Sequence, residues 1–149
     1  MEPTFRVFII VNRPRPEVFE AVADPKQLSA YFTTGGASAR LEQGRTVTWD
    51  FADFPGAFPV HVSEVVPDGK IVLNWKANDP DTDYQLQVTF RFTDVEEGRT
   101  KVEVEEAGWH STDAARSASY GNCMGWSQML CALKAWVEYG INLREGAYR

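Results

Sequence analysis

Two hydrophobic periods follow one another in this chain, and few folds accept that order. Between Arg45 and Ala107 apolar residues alternate with polar ones. Val47, Trp49 and Phe51 share a face opposite Thr46, Thr48 and Asp50, and Leu86, Val88, Phe90 and Phe92 do the same against Gln85, Gln87, Thr89 and Arg91. Val102 and Val104 then point inward while Lys101, Glu103 and Glu105 point outward. A period of two belongs to strands with one wet face. After Gly108 the period changes: Trp126, Leu130, Leu133 and Val137 recur every three or four residues, widened by Met129, Ala132 and Trp136. That stripe is broad enough for a helix to lie across a whole sheet. Ser111, Thr112 and Asp113 offer caps at its start and Gly140 marks its end. The pattern predicts an α+β fold in which a curved antiparallel sheet of six to seven strands grips one long C-terminal helix.

The rest of the chain fits around that frame. Thr4–Val11 reads as a strand closed by Asn12-Arg13-Pro14-Arg15-Pro16. Glu17–Ala23 reads as a short helix with Pro16 in its first turn, and Asp24-Pro25 opens a second carrying Leu28, Tyr31 and Phe32, which Gly35-Gly36 stops. Ala52–Pro59 reads as a connection, Val60–Val65 and Ile71–Lys76 as a hairpin about Pro67-Asp68-Gly69-Lys70, and 78–83 as an acidic turn. Glu96-Glu97-Gly98 makes the last hairpin. At 149 residues the chain reads as one domain, long enough to bury roughly 70% of its unfolded surface.

Charge and motif content narrow the function. A net charge of −6 with no basic stripe excludes nucleic acid as a partner. No run reaches the ~18 to 20 apolar residues of a membrane span, and the start lacks a signal peptide. Cys123 and Cys131 fall on one helix about 12 Å apart along its axis, too far to pair, and free thiols fit a cytoplasmic protein. Phosphate-loop, zinc-protease, Cys-x-x-Cys and nucleophile-elbow motifs are all missing. His61 alternates with Val60 and Val62 and is expected in solvent; His110 sits at the sheet-to-helix junction. No metal and no cofactor are expected.

Most carboxylates, including Glu96, Glu97 and those from Asp79 to Asp83, fall on turns or the outward face and are expected to be solvated. Glu64 and Glu106 differ, because alternation aims them to the side of Val62 and Val104, where a carboxyl would have a raised pKa. With His110 and Tyr120 they are the candidates for acid–base work, but no spacing pairs them, so no catalytic residue is assigned. Five Trp, nine Phe and five Tyr supply an aromatic interior. The expected lining of a cavity between sheet and helix is Phe32, Trp49, Phe51, Phe54, Phe58, Trp75, Leu86, Val88, Phe90, Trp109, Tyr120, Trp126 and Leu130.

Several runs carry a resemblance. Pro16-Glu17-Val18-Phe19 before Ala23-Asp24-Pro25, the hairpin Val62-Ser63-Glu64-Val65-Val66-Pro67, and Gly125-Trp126 leading through Leu130–Leu133 to Glu138-Tyr139-Gly140 resemble the START/SRPBCC superfamily, above all its homologues of the heat-shock protein 90 ATPase activator. The resemblance implies the helix-grip fold over nearly the whole chain. Tyr31-Phe32 stand where relatives often carry Trp, and Gly121-Asn122-Cys123-Met124 has no counterpart. The leading functional expectation is non-enzymatic binding of a small hydrophobic or amphipathic molecule in the cavity. The alternatives are a cyclase, dehydratase or hydrolase, and a co-chaperone-like domain acting on a heat-shock ATPase, which a lone domain disfavours. A homodimer is left open.

Overall fold

Prolines and caps set the helices. In the computed structural model, which describes residues 2–80 and 82–149, Pro14 is the N-cap of α1 (Arg15–Ala23). The helix therefore starts two residues before the expected Glu17, since Pro16 in the first turn needs no hydrogen-bond donor. The Asp24 side chain accepts from the Lys26 N–H at 3.0 Å and starts α2 (Pro25–Tyr31). β1 (Phe5–Val11) precedes these helices, and β2 (Gly36–Ala37), β3 (Thr46–Phe51), β4 (Phe54–Val66), β5 (Lys70–Lys76), β6 (Gln85–Glu96) and β7 (Arg99–Ala107) follow. They form one antiparallel sheet in the order β1-β7-β6-β5-β4-β3-β2. Irregular register between Trp49 and Phe51, Val62 and Glu64, and Asp94 and Glu96 bends it.

Three local expectations are corrected. Ala52–Pro59 is mostly strand, because β4 begins at Phe54 and pairs with β3 through Phe51↔Phe54, Trp49↔Phe58 and Thr48↔Pro59. Pairing with β5 starts only at Val60, so Pro55 and Pro59 lie where one side of the strand is free, which is where a sheet tolerates proline. Gly35-Gly36 does not stop α2, which ends at Tyr31 with Phe32 as its C-cap; a Cβ on Gly35 would stand 2.9 Å from Asp50 Cγ, and Gly36 opens β2. In the acidic turn Asp79 is buried rather than solvated, because its carboxylate accepts from Tyr84 Oη at 2.7 Å. Asp81 of that turn lies outside the described residues.

The long helix α3 (Asp113–Tyr139) starts at Thr112, whose hydroxyl accepts from the Ala115 N–H, and stops at Gly140 in the left-handed conformation with φ 68°. Its face of Trp126, Met129, Leu130 and Leu133 packs into one core with Val62, Ile71, Leu73, Val88, Phe90, Val102 and Val104 of the sheet. Burial of a side chain such as Leu130 contributes about 1.5–3 kcal/mol. A smaller cluster of Ala77, Leu86, Trp109 and Ala115 closes the end where β7 hands over to α3. At the other end Lys134 Nζ donates to the Ile10 carbonyl at 2.7 Å, and Glu138 accepts from the Asn12 N–H at 3.0 Å, tying α3 to β1. Among the described residues no helix is long and apolar enough to cross a membrane.

Candidate functional site

Strand alternation carries Glu106 inward, two residues beyond Val104, and its side chain has no exposure to solvent. The carboxylate meets four neutral donors. Oε1 accepts from Trp109 Nε1 at 3.2 Å and Asn122 Nδ2 at 2.9 Å; Oε2 accepts from Trp75 Nε1 at 3.2 Å and Trp126 Nε1 at 3.0 Å. Burial pushes the carboxyl above its ordinary pKa; the hydrogen bonds pull it back without cancelling the effect. Two donors on each oxygen use the roughly four lone-pair positions that a carboxylate has. Glu106 so held has no position free to take a substrate's proton, and it fixes three indoles from β5, the β7–α3 junction and α3.

Two of those indoles belong to a continuous ring cluster. Trp126 lies 5.3 Å from Trp75 and 5.5 Å from both Phe32 and Phe90, centroid to centroid. Trp49 contacts Phe32 at 5.7 Å and Trp75 at 6.0 Å, each edge to face. Phe51 lies 5.0 Å from Phe32 and 5.7 Å from Phe58, which is 5.7 Å from Trp75. These separations are those of favourable aromatic pairs, so rings occupy the space between β3–β5 and α3. Phe51, Phe58 and Trp75 are only half-buried, and through them the cluster reaches the surface.

The tail after α3 caps the Phe51 end. The Arg144 guanidinium lies 4.7 Å from the Phe51 ring and 5.7 Å from Phe32, and its Nε and Nη2 donate to Asp53 Oδ1 at 3.3 and 3.1 Å. Both side chains are nearly buried, at 11% and 12% exposure. A cleft of about 460 Å³ adjoins them, lined also by Thr34, Pro55 and Asn142.

The expected site residues divide. Phe32, Trp49, Phe51, Phe58, Trp75, Val88, Phe90, Trp126 and Leu130 belong to or pack on the main core, whereas Leu86 and Trp109 belong to the smaller cluster. Phe54 stands outside, 51% exposed, at the free start of β4, and the Arg149 guanidinium lies over its ring. Tyr120 is 66% exposed; six residues before Trp126, it falls about 120° round the helix from the inward stripe. Glu64 turns outward because the bulge after Val62 breaks the alternation, and it pairs with Lys70 at 2.6 Å. His110 is exposed and stacks 3.6 Å from Tyr84, while His61 is exposed beside Thr46.

None of the other acid–base candidates therefore meets Glu106. Among the described residues no three His, Cys, Asp or Glu side chains come together as metal ligands would. Asn122, Asp53 and Arg144 were missed. The unmatched run 121–124 flagged the first without suggesting its role; nothing local flags the other two.

Residues 12–138 match the family model described as Activator of Hsp90 ATPase homolog 1-like protein. The fold is also that of solved structures. SSP2350 from Staphylococcus saprophyticus is 27% identical with a TM-score of 0.80, covering 95% of this chain and 96% of that one. DynU16, from the dynemicin biosynthetic locus, is 26% identical with a TM-score of 0.78, covering 93% of this chain and 48% of DynU16. The Aha1 dimer from Colwellia psychrerythraea is 21% identical with a TM-score of 0.75, covering 93% and 98%. A comparison with curated proteins finds no match.

Proposed function

The chain belongs to the activator of Hsp90 ATPase homolog 1-like family, and from that footing we propose that it is a non-enzymatic module binding a small hydrophobic or amphipathic molecule among the rings between β3–β5 and α3. The ring cluster carries this reading. Six aromatic side chains, Phe32, Trp49, Phe51, Phe58, Trp75 and Trp126, touch one another at centroid distances of 5.0 to 6.0 Å, and three of them are half-buried. A flat apolar ligand can exchange ring contacts with such a cluster while leaving water behind, which is how small-molecule sites gain affinity. The origin of DynU16 in a biosynthetic locus agrees with a small-molecule ligand.

A cyclase, dehydratase or hydrolase would need a proton-transfer group with a free lone pair. Each Glu106 oxygen already accepts two hydrogen bonds, which weighs against that alternative. A heat-shock ATPase partner rests on the family description, and a homodimer on the dimeric Aha1 relative. Titration with the apolar probe N-phenyl-1-naphthylamine, read by probe emission and Trp quenching, tests the proposal. Saturable one-site binding, weakened by Phe51→Ala in a protein that still unfolds cooperatively, supports it. Absence of saturable binding by this and comparable apolar probes refutes it.

A further inference from the structure

Trp49 holds a buried donor with no acceptor. The residue is 1% exposed, and its Nε1 has no hydrogen-bond partner. The other four tryptophans are paired: Trp75, Trp109 and Trp126 to Glu106, and Trp136 to Gln27 Oε1 at 3.4 Å. Buried indole N–H groups ordinarily find a partner, and one left unmade in a packed interior asks for an explanation. Ring faces of Phe32 and Trp75 near Trp49 are weaker acceptors than a carbonyl oxygen.

Resting on the binding function above, we propose that the ring cluster selects planar aromatic molecules bearing a neutral carbonyl, and that Trp49 Nε1 is the donor that receives the carbonyl oxygen. The register places Phe58 opposite Trp49 across β3 and β4. Phe58 rides on the part of β4 that precedes the β5 pairing at Val60, between Pro55 and Pro59, so that segment is held from one side only. Swinging the half-buried Phe58 outward vacates a ring-wide slot between Phe51 and Trp75, both 5.7 Å from it, beside its cross-strand partner Trp49, which lies 6.0 Å from Trp75. The acceptor is neutral because Trp75 and Trp126 already hold the Glu106 carboxylate, a like charge to an anionic ligand, while Arg144, the cation on the Phe51 ring, is already paired with Asp53.

The matched pair fluorene and 9-fluorenone, equal in shape and differing in one carbonyl, tests this. The wild-type protein binds fluorenone about tenfold more tightly than fluorene, as a site with a buried donor to satisfy should. In Trp49→Phe, which keeps an aromatic ring but removes the donor, that preference disappears because fluorenone loses about tenfold more affinity than fluorene does. Infrared spectra of fluorenone on the wild-type protein, which need no variant, show the carbonyl stretch shifted below its position in an apolar solvent. Equal affinities in the wild type, a preference surviving in Trp49→Phe, or an unshifted stretch each overturn the inference while leaving the binding function standing. If neither compound binds, that function falls and the inference falls with it.

Discussion

Exchanging the Glu106 carboxylate for a carboxamide separates hydrogen bonding from packing, because Glu106→Gln keeps the shape. The wild-type oxygens accept from Trp109 and Asn122 on one side and from Trp75 and Trp126 on the other. Whichever way the amide turns, its NH₂ faces one of those donor pairs and two bonds are lost. A buried donor left unmade costs about 1–3 kcal/mol, so the loss is roughly 2–6 kcal/mol before correction. Removing a buried charge returns part of that, since burial is what raises this carboxyl's pKa. The net expectation at pH 7 is about 2 kcal/mol of destabilisation, or a melting temperature lowered by about 4–8 °C for a chain of this size. Urea unfolding followed by far-ultraviolet circular dichroism reads it, with the slope unchanged.

The pH dependence has a definite sign. A native pKa above the ordinary 4.5 means that the native state binds more protons, so the contribution of Glu106 is fully present below 4.5 and is lost as pH rises through the native pKa. The gap between wild type and Glu106→Gln is therefore wider at pH 5 than at pH 8. A Gln variant as stable as the wild type would refute the four-donor description, and a gap that widens with pH would show that the four hydrogen bonds outweigh burial and contradict the raised pKa.

Three further outcomes follow from single features. Leu130→Ala removes a fully buried side chain from the face of α3 and should cost about 2–5 kcal/mol by chemical denaturation; an unchanged midpoint would contradict that packing. Gly121 and Gly125 lie within α3 where an added Cβ meets nothing within 4 Å, so Gly121→Ala and Gly125→Ala should each raise stability by about 0.5–1 kcal/mol, and a lowered midpoint would count against the helix there. Arg144→Ala leaves Asp53 nearly buried without its cation and should cost about 1–2 kcal/mol, a loss that Asp53→Asn in the same chain partly restores; additive losses would show that the pair is not coupled.

The sheet and its helix were legible because their signals are local and repeated. Val47 with Trp49, the run Leu86 to Phe92, and Val102 to Glu106 each alternate in sequence, although Thr89, expected on the wet face, is buried, and Thr112 and Gly140 bracket α3. The first half of β4 was not legible: Pro55 and Pro59 punctuate it, and only its one-sided pairing with β3 makes it a strand. Glu64 illustrates how one bulge reverses a face, and Phe54 and Tyr120 show that an aromatic residue at a strand's free start or off the helical stripe stays outside. Glu106 was singled out by alternation, yet its four donors lie 3 to 31 residues away, and no local pattern announces such a convergence. The same holds for Arg144 and Asp53, which are 91 residues apart.

The indole N–H groups of the five tryptophans offer the most direct test of the ring cluster as the binding site, because nitrogen-15 spectra report each of them separately. On titration with a saturating flat apolar ligand, the signals of Trp49, Trp75 and Trp126 should shift along one common saturation curve, while Trp136, paired with Gln27 away from these rings, stays in place. Saturable binding that leaves those three signals unmoved, or that moves Trp136 alone, would place the ligand elsewhere and contradict the account.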